Sequence, residues 1–149
     1  MKSFKKAIAL LALCVICLSA IACGKSAKPA SYADGVYSGR SSDFQEDESG
    51  NGAGYGEVTI EIKNNRVVSC TFTMYELDGT LKDETYGADL SKENRLKAQK
   101  AVQSAEKYAE MLVNAGTLDG VDAISGATIS CEEFREAVEQ ALSKAAITE

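Results

Sequence analysis

Two runs of alternating apolar and polar residues, separated by Asn64-Asn65, constrain the fold of this chain more than any other feature. Val58, Ile60 and Ile62 alternate with Glu57, Thr59 and Glu61, and Val68, Cys70, Phe72 and Met74 alternate with Val67, Ser69, Thr71 and Thr73. Period-two patterning sends successive side chains to opposite faces, so each run reads as a strand with one apolar face. Asparagine tolerates positive φ better than most residues, and an Asn-Asn pair closes such strands into a tight antiparallel hairpin. The pattern predicts strands at 57–63 and 66–75, with Val58, Ile60, Ile62, Cys70, Phe72 and Met74 on the face that must be covered.

Helices are the remaining candidates to cover that face. Ser91 can cap one, with Glu93 in its first turn, and Leu96, Val102, Ala105, Tyr108, Ala109, Leu112 and Val113 then recur at three- and four-residue spacings. Asn114-Ala115-Gly116 ends it, the glycine being free to take a left-handed cap conformation. A second helix is predicted over 130–146, starting at or just after Ser130 in the Ser-x-x-Glu capping box Ser130-Cys131-Glu132-Glu133 and carrying Phe134, Ala137, Val138, Ala141, Leu142 and Ala145 on one face. The fold class that follows is a small two-layer α+β domain, an antiparallel sheet packed against two amphipathic helices.

Ahead of the hairpin, Asp34-Gly35 is a turn signal leading into a short alternating strand in the Tyr32-Ala33-Asp34-Gly35-Val36-Tyr37-Ser38-Gly39 stretch. Residues 41–56 are polar, acidic and rich in glycine, including Gly50, Gly52, Gly54 and Gly56, and read as a mobile loop without an assigned site. Asp78-Gly79 is a further turn, followed by the irregular polar stretch Lys82-Asp83-Glu84-Thr85-Tyr86-Gly87.

The N-terminus is organised differently. Lys2, Lys5 and Lys6 precede an apolar run over 7–22, which is shorter than the roughly 20 residues a spanning helix needs. Residues 1–22 therefore read as a secretory signal. Ala20-Ile21-Ala22-Cys23 resembles a bacterial lipobox, although Ala20 stands where leucine is usual, so Cys23 is expected to be acylated (palmitate among the chains) and to become the mature N-terminus. Residues 23–31, which hold the only proline, form a tether, and 32–149 form the domain. Cleavage removes three lysines, leaving thirteen basic residues against 22 acidic and a net charge of −9. Nucleic-acid binding calls for a basic face and is not expected. Attraction to anionic lipid is disfavoured as well, so attachment of this expected extracytoplasmic membrane lipoprotein would rest on the acyl anchor at Cys23.

The absence of histidine removes histidine metal sites, Cys-x-x-Cys-His haem attachment and serine or cysteine catalysis with a histidine base. No catalytic and no metal-binding residues are assigned. Cys70 and Cys131 are the mature domain's cysteines besides Cys23; an exported location permits a disulfide between them, while their positions equally suit small apolar fillers.

The stretch that carries chemistry is Asp122-Ala123-Ile124-Ser125-Gly126-Ala127-Thr128. It runs into a helix start, where unpaired N–H groups and the positive end of the dipole suit a bound or esterified phosphate. Gly126 and Ala127 leave room for close backbone approach, and Ser125 and Thr128 supply hydroxyls. Asp-x-x-Ser-Gly-Ala-Thr resembles the flavinylation motif of the FMN-binding domain family, related to the flavin-carrying subunits of membrane sodium-pumping and electron-transport complexes. Asp122, Ser125, Gly126, Ala127 and Thr128 match it position by position, which at ordinary residue frequencies happens by chance at about one start in a million.

The resemblance implies that a separate flavin transferase takes FMN from FAD and esterifies its phosphate to Thr128. It also implies that Glu84, Thr85 and Gly87, which match a Glu-Thr-x-Gly element, line the flavin site; the competing reading of those residues is a surface turn. An Asp-Gly-x-Tyr-x-Gly opening common in the family is intact at residues 34–39. Where the family often continues with Tyr-Thr or Ser after the threonine, this chain has Ile129-Ser130, which alters ring packing and leaves the acceptor unchanged. The chain resembles most the short lipoprotein branch, some members of which are labelled major membrane immunogens. The implied function is an electron carrier with no substrate of its own, working between membrane or surface redox proteins. Two alternatives stay open: a flavin-free or loosely flavin-binding surface lipoprotein with a structural or interaction role, and a noncovalent FMN-dependent reductase.

Overall fold

The structure is a computed structural model that describes residues 31–48 and 52–147; the expected secretory signal, Cys23 and the expected tether up to residue 30 lie outside the described residues. Three strands, β1 (Gly35–Arg40), β2 (Tyr55–Lys63) and β3 (Arg66–Tyr75), form an antiparallel sheet in the order β1-β2-β3. Helices α1 (Lys92–Ala115) and α2 (Thr128–Ala145) follow, separated by a short 3-10 turn at Leu118–Gly120. This is the two-layer α+β architecture expected from the alternating runs.

The hairpin forms as its sequence demands. Asn64 and Asn65 take φ of 51° and 62°, and Lys63 pairs with Arg66 across them. One feature of the pattern departs from expectation. Val68 is 41% exposed and Val67 is buried, because Ile62 pairs with Val67 whereas Glu61 pairs with Ser69, leaving Val68 as an extra residue in a bulge. The bulge flips the alternation between Val67 and Cys70. Val58, Ile60, Ile62, Phe72 and Met74 are buried on the helix-facing side, and Cys70 is half-buried against the same core.

Helix α2 lies across β1 and β2, and α1 covers β3. The approach of α2 to β1 depends on Gly39, where a Cβ would overlap the Ala137 carbonyl and sit 2.7 Å from the Ala141 nitrogen. Phe134 is the centre of the core: its ring meets Phe72 edge-on at 5.0 Å and stacks on Tyr108 at 5.6 Å. Ser91 caps α1 by accepting the Asn94 N–H at 3.3 Å, and Gly116 closes it with φ of 75°. The C-terminal half of α1 buries Ser104, Tyr108, Ala109 and Leu112, whereas Leu96 is 65% exposed. Leu96 continues the apolar spacing in sequence, yet the N-terminal half of the helix packs through the buried Ala98 on Gly87 and through Gln99, which donates to the Asp83 and Tyr86 carbonyls, and Leu96 lies outside that contact.

Residues 41–56, expected to be a loop, are tied at both ends. The Ser41 N–H donates to the Gly56 carbonyl, and Phe44 and Gly54 exchange backbone bonds at 2.8 and 2.9 Å. β2 accordingly begins at Tyr55, inside the stretch read as loop. The termini of the domain also meet, the Ala33 N–H donating to Ala145 and the Ile147 N–H to Ser31.

Candidate functional site

Residues 121–127 are held by two side chains, the half-buried Arg135 and the buried Tyr108. The Arg135 guanidinium, on α2, donates to the Val121 carbonyl at 2.8 Å. The Tyr108 hydroxyl, on α1, accepts the Ile124 N–H at 3.0 Å and donates to the Ala127 carbonyl at 2.9 Å. Between those anchors the Ala127 N–H donates to the Ile124 carbonyl at 2.9 Å, closing a turn with Ser125 and Gly126 at its tip. Gly126 has φ of 77°, the left-handed geometry that a type II turn needs at its third position. Burial raises the Tyr108 phenol above its ordinary range, which keeps it protonated as the donor to Ala127.

Helix α2 begins at Thr128, two residues before the Ser130 start expected from the capping box. The turn delivers the chain to Ala127, whose carbonyl accepts the Cys131 N–H at 3.1 Å as the first helical bond. Ala127 supplies no side-chain cap, and Ser130 and Glu133 are buried within the helix. Thr128 is therefore the first helical residue, exposed, in a turn whose leading N–H groups have no capping side chain.

Thr128 stands on the rim of a cleft of about 970 Å³. The N-terminal half of α1 forms one wall through Asn94, Lys97, Ala98 and Ala101, and residues 126–130 with Glu133 form another. The turn after β3 contributes Glu76, Leu77, Asp78 and Lys82, and Gly52 and Ala53 close the far side. A cleft of this size is in the range that holds a cofactor.

Of the residues singled out in sequence, Gly126, Ala127, Thr128 and Gly87 line this cleft. Gly87 has φ of 77° and packs on α1, where a Cβ would come within 2.9 Å of the Ala98 methyl. Asp122 and Ser125 belong to the same segment but are exposed and outside the lining. Glu84 and Thr85 are also exposed and outside it. Thr85 donates both its N–H and its hydroxyl to Asp83, at 2.8 and 2.7 Å, a surface turn that holds the Asp83 carboxyl below the ordinary aspartate range. The structure thus brings Gly87 to residues 126–128 and leaves Glu84 and Thr85 on the surface turn.

Sequence reading missed Lys82, Tyr86 and Glu133. The backbone of Lys82 pairs with Met74 at the edge of β3, its N–H donating at 2.9 Å, and its side chain runs inward to end 5.1 Å from the centre of the Tyr86 ring. Burial pulls the Lys82 ammonium below its ordinary range, an effect opposed by the charges of Glu133 and Glu76. Burial pushes the Glu133 carboxyl up to about 7, with Lys82 acting against the rise and Glu136 adding to it. The available signal was the spacing of Gly52, Gly54 and Gly56: a Cβ at Gly52 would overlap the Tyr86 hydroxyl, one at Gly54 would overlap the Lys82 ammonium, and one at Gly56 would meet Phe72 at 2.5 Å and Glu133 at 3.2 Å. Gly52 and Gly54 thus leave space for Tyr86 and Lys82 of the cleft, and Gly56 for the Phe72 ring of the core.

Cys70 and Cys131 are both free. Burial pushes the Cys70 thiol up to about 12, so it stays a neutral part of the core.

The model of a family described as FMN-binding domain matches residues 51–143. Comparison with curated proteins finds no match. Among solved structures, the crystal structure of the CPE2226 protein from Clostridium perfringens aligns with a TM-score of 0.56 at 17% identity, over 76% of this chain and 88% of that one. At that identity the likeness concerns the fold alone.

Proposed function

This chain belongs to the FMN-binding domain family and is a flavin-binding protein, and from that premise we propose that it is a membrane-anchored, extracytoplasmic electron carrier holding FMN by a phosphoester on Thr128. The observation that carries the reading is the position of Thr128: an exposed hydroxyl on the first residue of an 18-residue helix without a side-chain cap, beside a cleft of about 970 Å³. A phosphate on that hydroxyl would meet backbone donors and a favourable dipole, worth a few tenths to about 1 kcal/mol. The cleft fits the rest of the group. It is large enough, and it presents a buried carboxyl oxygen without a hydrogen-bond partner, the Glu133 Oε1.

When bound, the flavin ring would accept and release electrons, while the protein orients it and sets its surroundings. Lys97 lines the cleft on the α1 wall, and the Lys100 ammonium lies over Gly126, 3.0 Å from where a Cβ would stand. Lys97 is paired with Glu93 at 3.7 Å, so Lys100 is the cation that supplies charge beside an added phosphate dianion in a chain of negative net charge. A threonine hydroxyl is a weak nucleophile without a base, so attachment depends on a flavin transferase to activate it. Membrane or surface redox proteins would be the electron donors and acceptors. No helix among the described residues is long and apolar enough to cross a membrane, and the proposed anchor is the acylated Cys23, outside the described residues.

Co-expression with a flavin transferase tests the reading. The protein should gain the mass of one FMN and stay yellow after denaturation, Thr128→Val should prevent this without unfolding the domain, and mixing with FMN alone should add no covalent mass. Cys23→Ser should release the protein from membranes. A wild-type chain that remains colourless beside an active transferase would leave the flavin-free surface-module role in its place.

A further inference from the structure

The inner wall of the cleft carries a charged pair that an empty pocket does not need. Glu133 is 2% exposed and Lys82 is 8% exposed, and both face the cleft. The Glu133 Oε1 is the buried side-chain oxygen or nitrogen without a hydrogen-bond partner among the described residues. Ion pairs in the described residues join Arg40 to Asp43, Lys63 to Glu61 and Lys97 to Glu93, and none joins Lys82 to Glu133. Leaving a buried carboxyl oxygen unpaired carries a desolvation penalty, and such groups in native proteins call for an explanation. Local packing does not supply one, since α2 needs no glutamate at that position to contact the sheet. The chain makes room for Lys82 in particular, since a Cβ at Gly54 would overlap its ammonium.

We propose that Glu133 and Lys82 form a recognition pole for a cyclic imide edge, the C=O, N–H, C=O face of the pyrimidine part of an isoalloxazine, and that this pole binds the ring before any bond to Thr128 is made. An imide edge offers one donor flanked by two acceptors. The Glu133 Oε1 accepts the imide N–H and so gains the partner it lacks in the protein, and the Lys82 ammonium donates to an adjacent carbonyl. Tyr86, beside the Lys82 ammonium, adds an aromatic wall. The inference deepens the flavin reading by assigning ring recognition to residues outside the 122–128 segment. It rests on flavin binding and does not require the phosphoester.

Riboflavin tests it, because riboflavin lacks the phosphate and cannot be esterified. Protein made without a flavin transferase is titrated into riboflavin and into 3-methylriboflavin, whose imide N–H is blocked, with ring fluorescence as the readout. The wild-type chain should bind riboflavin and should bind the methylated analogue about tenfold more weakly, the size expected of one lost hydrogen bond to a charged or strongly polar group. Glu133→Leu should lose a similar factor for riboflavin and no longer distinguish the two ligands. Glu133→Gln keeps a carbonyl acceptor and should restore both affinity and discrimination, which a purely structural role for Glu133 would not produce. Lys82→Met should weaken both ligands alike. A thermal melt of each variant separates loss of folding from loss of binding. No riboflavin binding at its solubility limit, or equal binding by wild type and folded Glu133→Leu, overturns the pole. Loading of Thr128 beside a transferase, read by intact mass, is a separate result, so the phosphoester and the ring pole can fail independently.

Discussion

The Tyr108 hydroxyl donates to the Ala127 carbonyl at 2.9 Å from a ring that is 0% exposed. That bond joins the middle of α1 to the residue immediately before Thr128. The same hydroxyl accepts the Ile124 N–H at 3.0 Å, so one core side chain grips both ends of the turn that presents the proposed acceptor. The ring is itself stacked on Phe134 of α2, which makes the position of Thr128 a consequence of core packing more than of loop sequence.

Tyr108→Phe keeps the ring and removes the hydroxyl. The Ala127 carbonyl retains the Cys131 N–H, but the Ile124 N–H loses its partner. The expected loss of stability is about 1–2 kcal/mol, measured by urea denaturation. Loading of Thr128 by a transferase should slow by more than the unfolded fraction accounts for, because the turn is no longer clamped. Unchanged loading would show that the transferase reorders the turn itself.

The core and the bulge give a paired prediction. Phe134→Ala removes the ring that meets both Phe72 and Tyr108 and should cost about 3–5 kcal/mol. Val68→Ala, on the extra residue of β3, should change stability by no more than about 0.5 kcal/mol. Equal losses at the two positions would contradict the bulge and return Val68 to the buried face.

That pair also marks how far the sequence could be read. Alternation and the Asn64-Asn65 turn define the hairpin, and Ser91 and Gly116 define the ends of α1, because each is a local signal with a local cause. A bulge is set by the partner strand, so Val67 and Val68 could not be ordered from their own run. The Ser130-x-x-Glu133 box is a valid local signal that tertiary structure overrides: the turn closed by Tyr108 starts the helix at Thr128, and Glu133 turns to the cleft. Leu96 has the spacing of a core residue, but this half of α1 packs through Ala98 on Gly87, and that contact depends on the path of the 82–90 turn. The 122–128 segment was legible from its motif, whereas Lys82 and Glu133, about 50 positions apart, are brought together only by the sheet edge.

Glu133 should leave a signature in the pH dependence of stability. Its carboxyl is raised in the folded state to about 7 by burial, against 4.5 for the unperturbed group. Between those values the folded chain binds more protons than the unfolded chain, so stability falls as pH rises through this window and levels off above it. The contribution is on the order of 3 kcal/mol between pH 4.5 and pH 7. Asp78 and Asp83 are lowered by bonds from Thr80 and Thr85, so their contribution is lost at more acid pH and does not overlap. Urea denaturation from pH 5 to pH 8 should show the decline in wild type and a much flatter profile in Glu133→Gln. A decline of equal size in both chains would assign it to other groups.

Lys100 gives a test of the electrostatics around Thr128. Its ammonium lies over Gly126, two residues before the proposed acceptor, and both the incoming phosphate donor and the phosphoester product carry negative charge. Reversing that charge in Lys100→Glu sets a carboxylate beside a developing anion, and with an interaction of about 1 kcal/mol for near-surface charges a five- to tenfold slower loading of Thr128 is expected. Raising the salt from about 0.05 M to about 0.5 M should remove most of the difference, since the Debye length shortens from about 14 Å to about 4 Å over that range. Lys107→Glu makes the same charge change at an exposed position of α1 away from the cleft and should load at the wild-type rate. If Lys107→Glu slows loading as much as Lys100→Glu, the effect belongs to net charge and transferase encounter, and the local role of Lys100 at the phosphate fails.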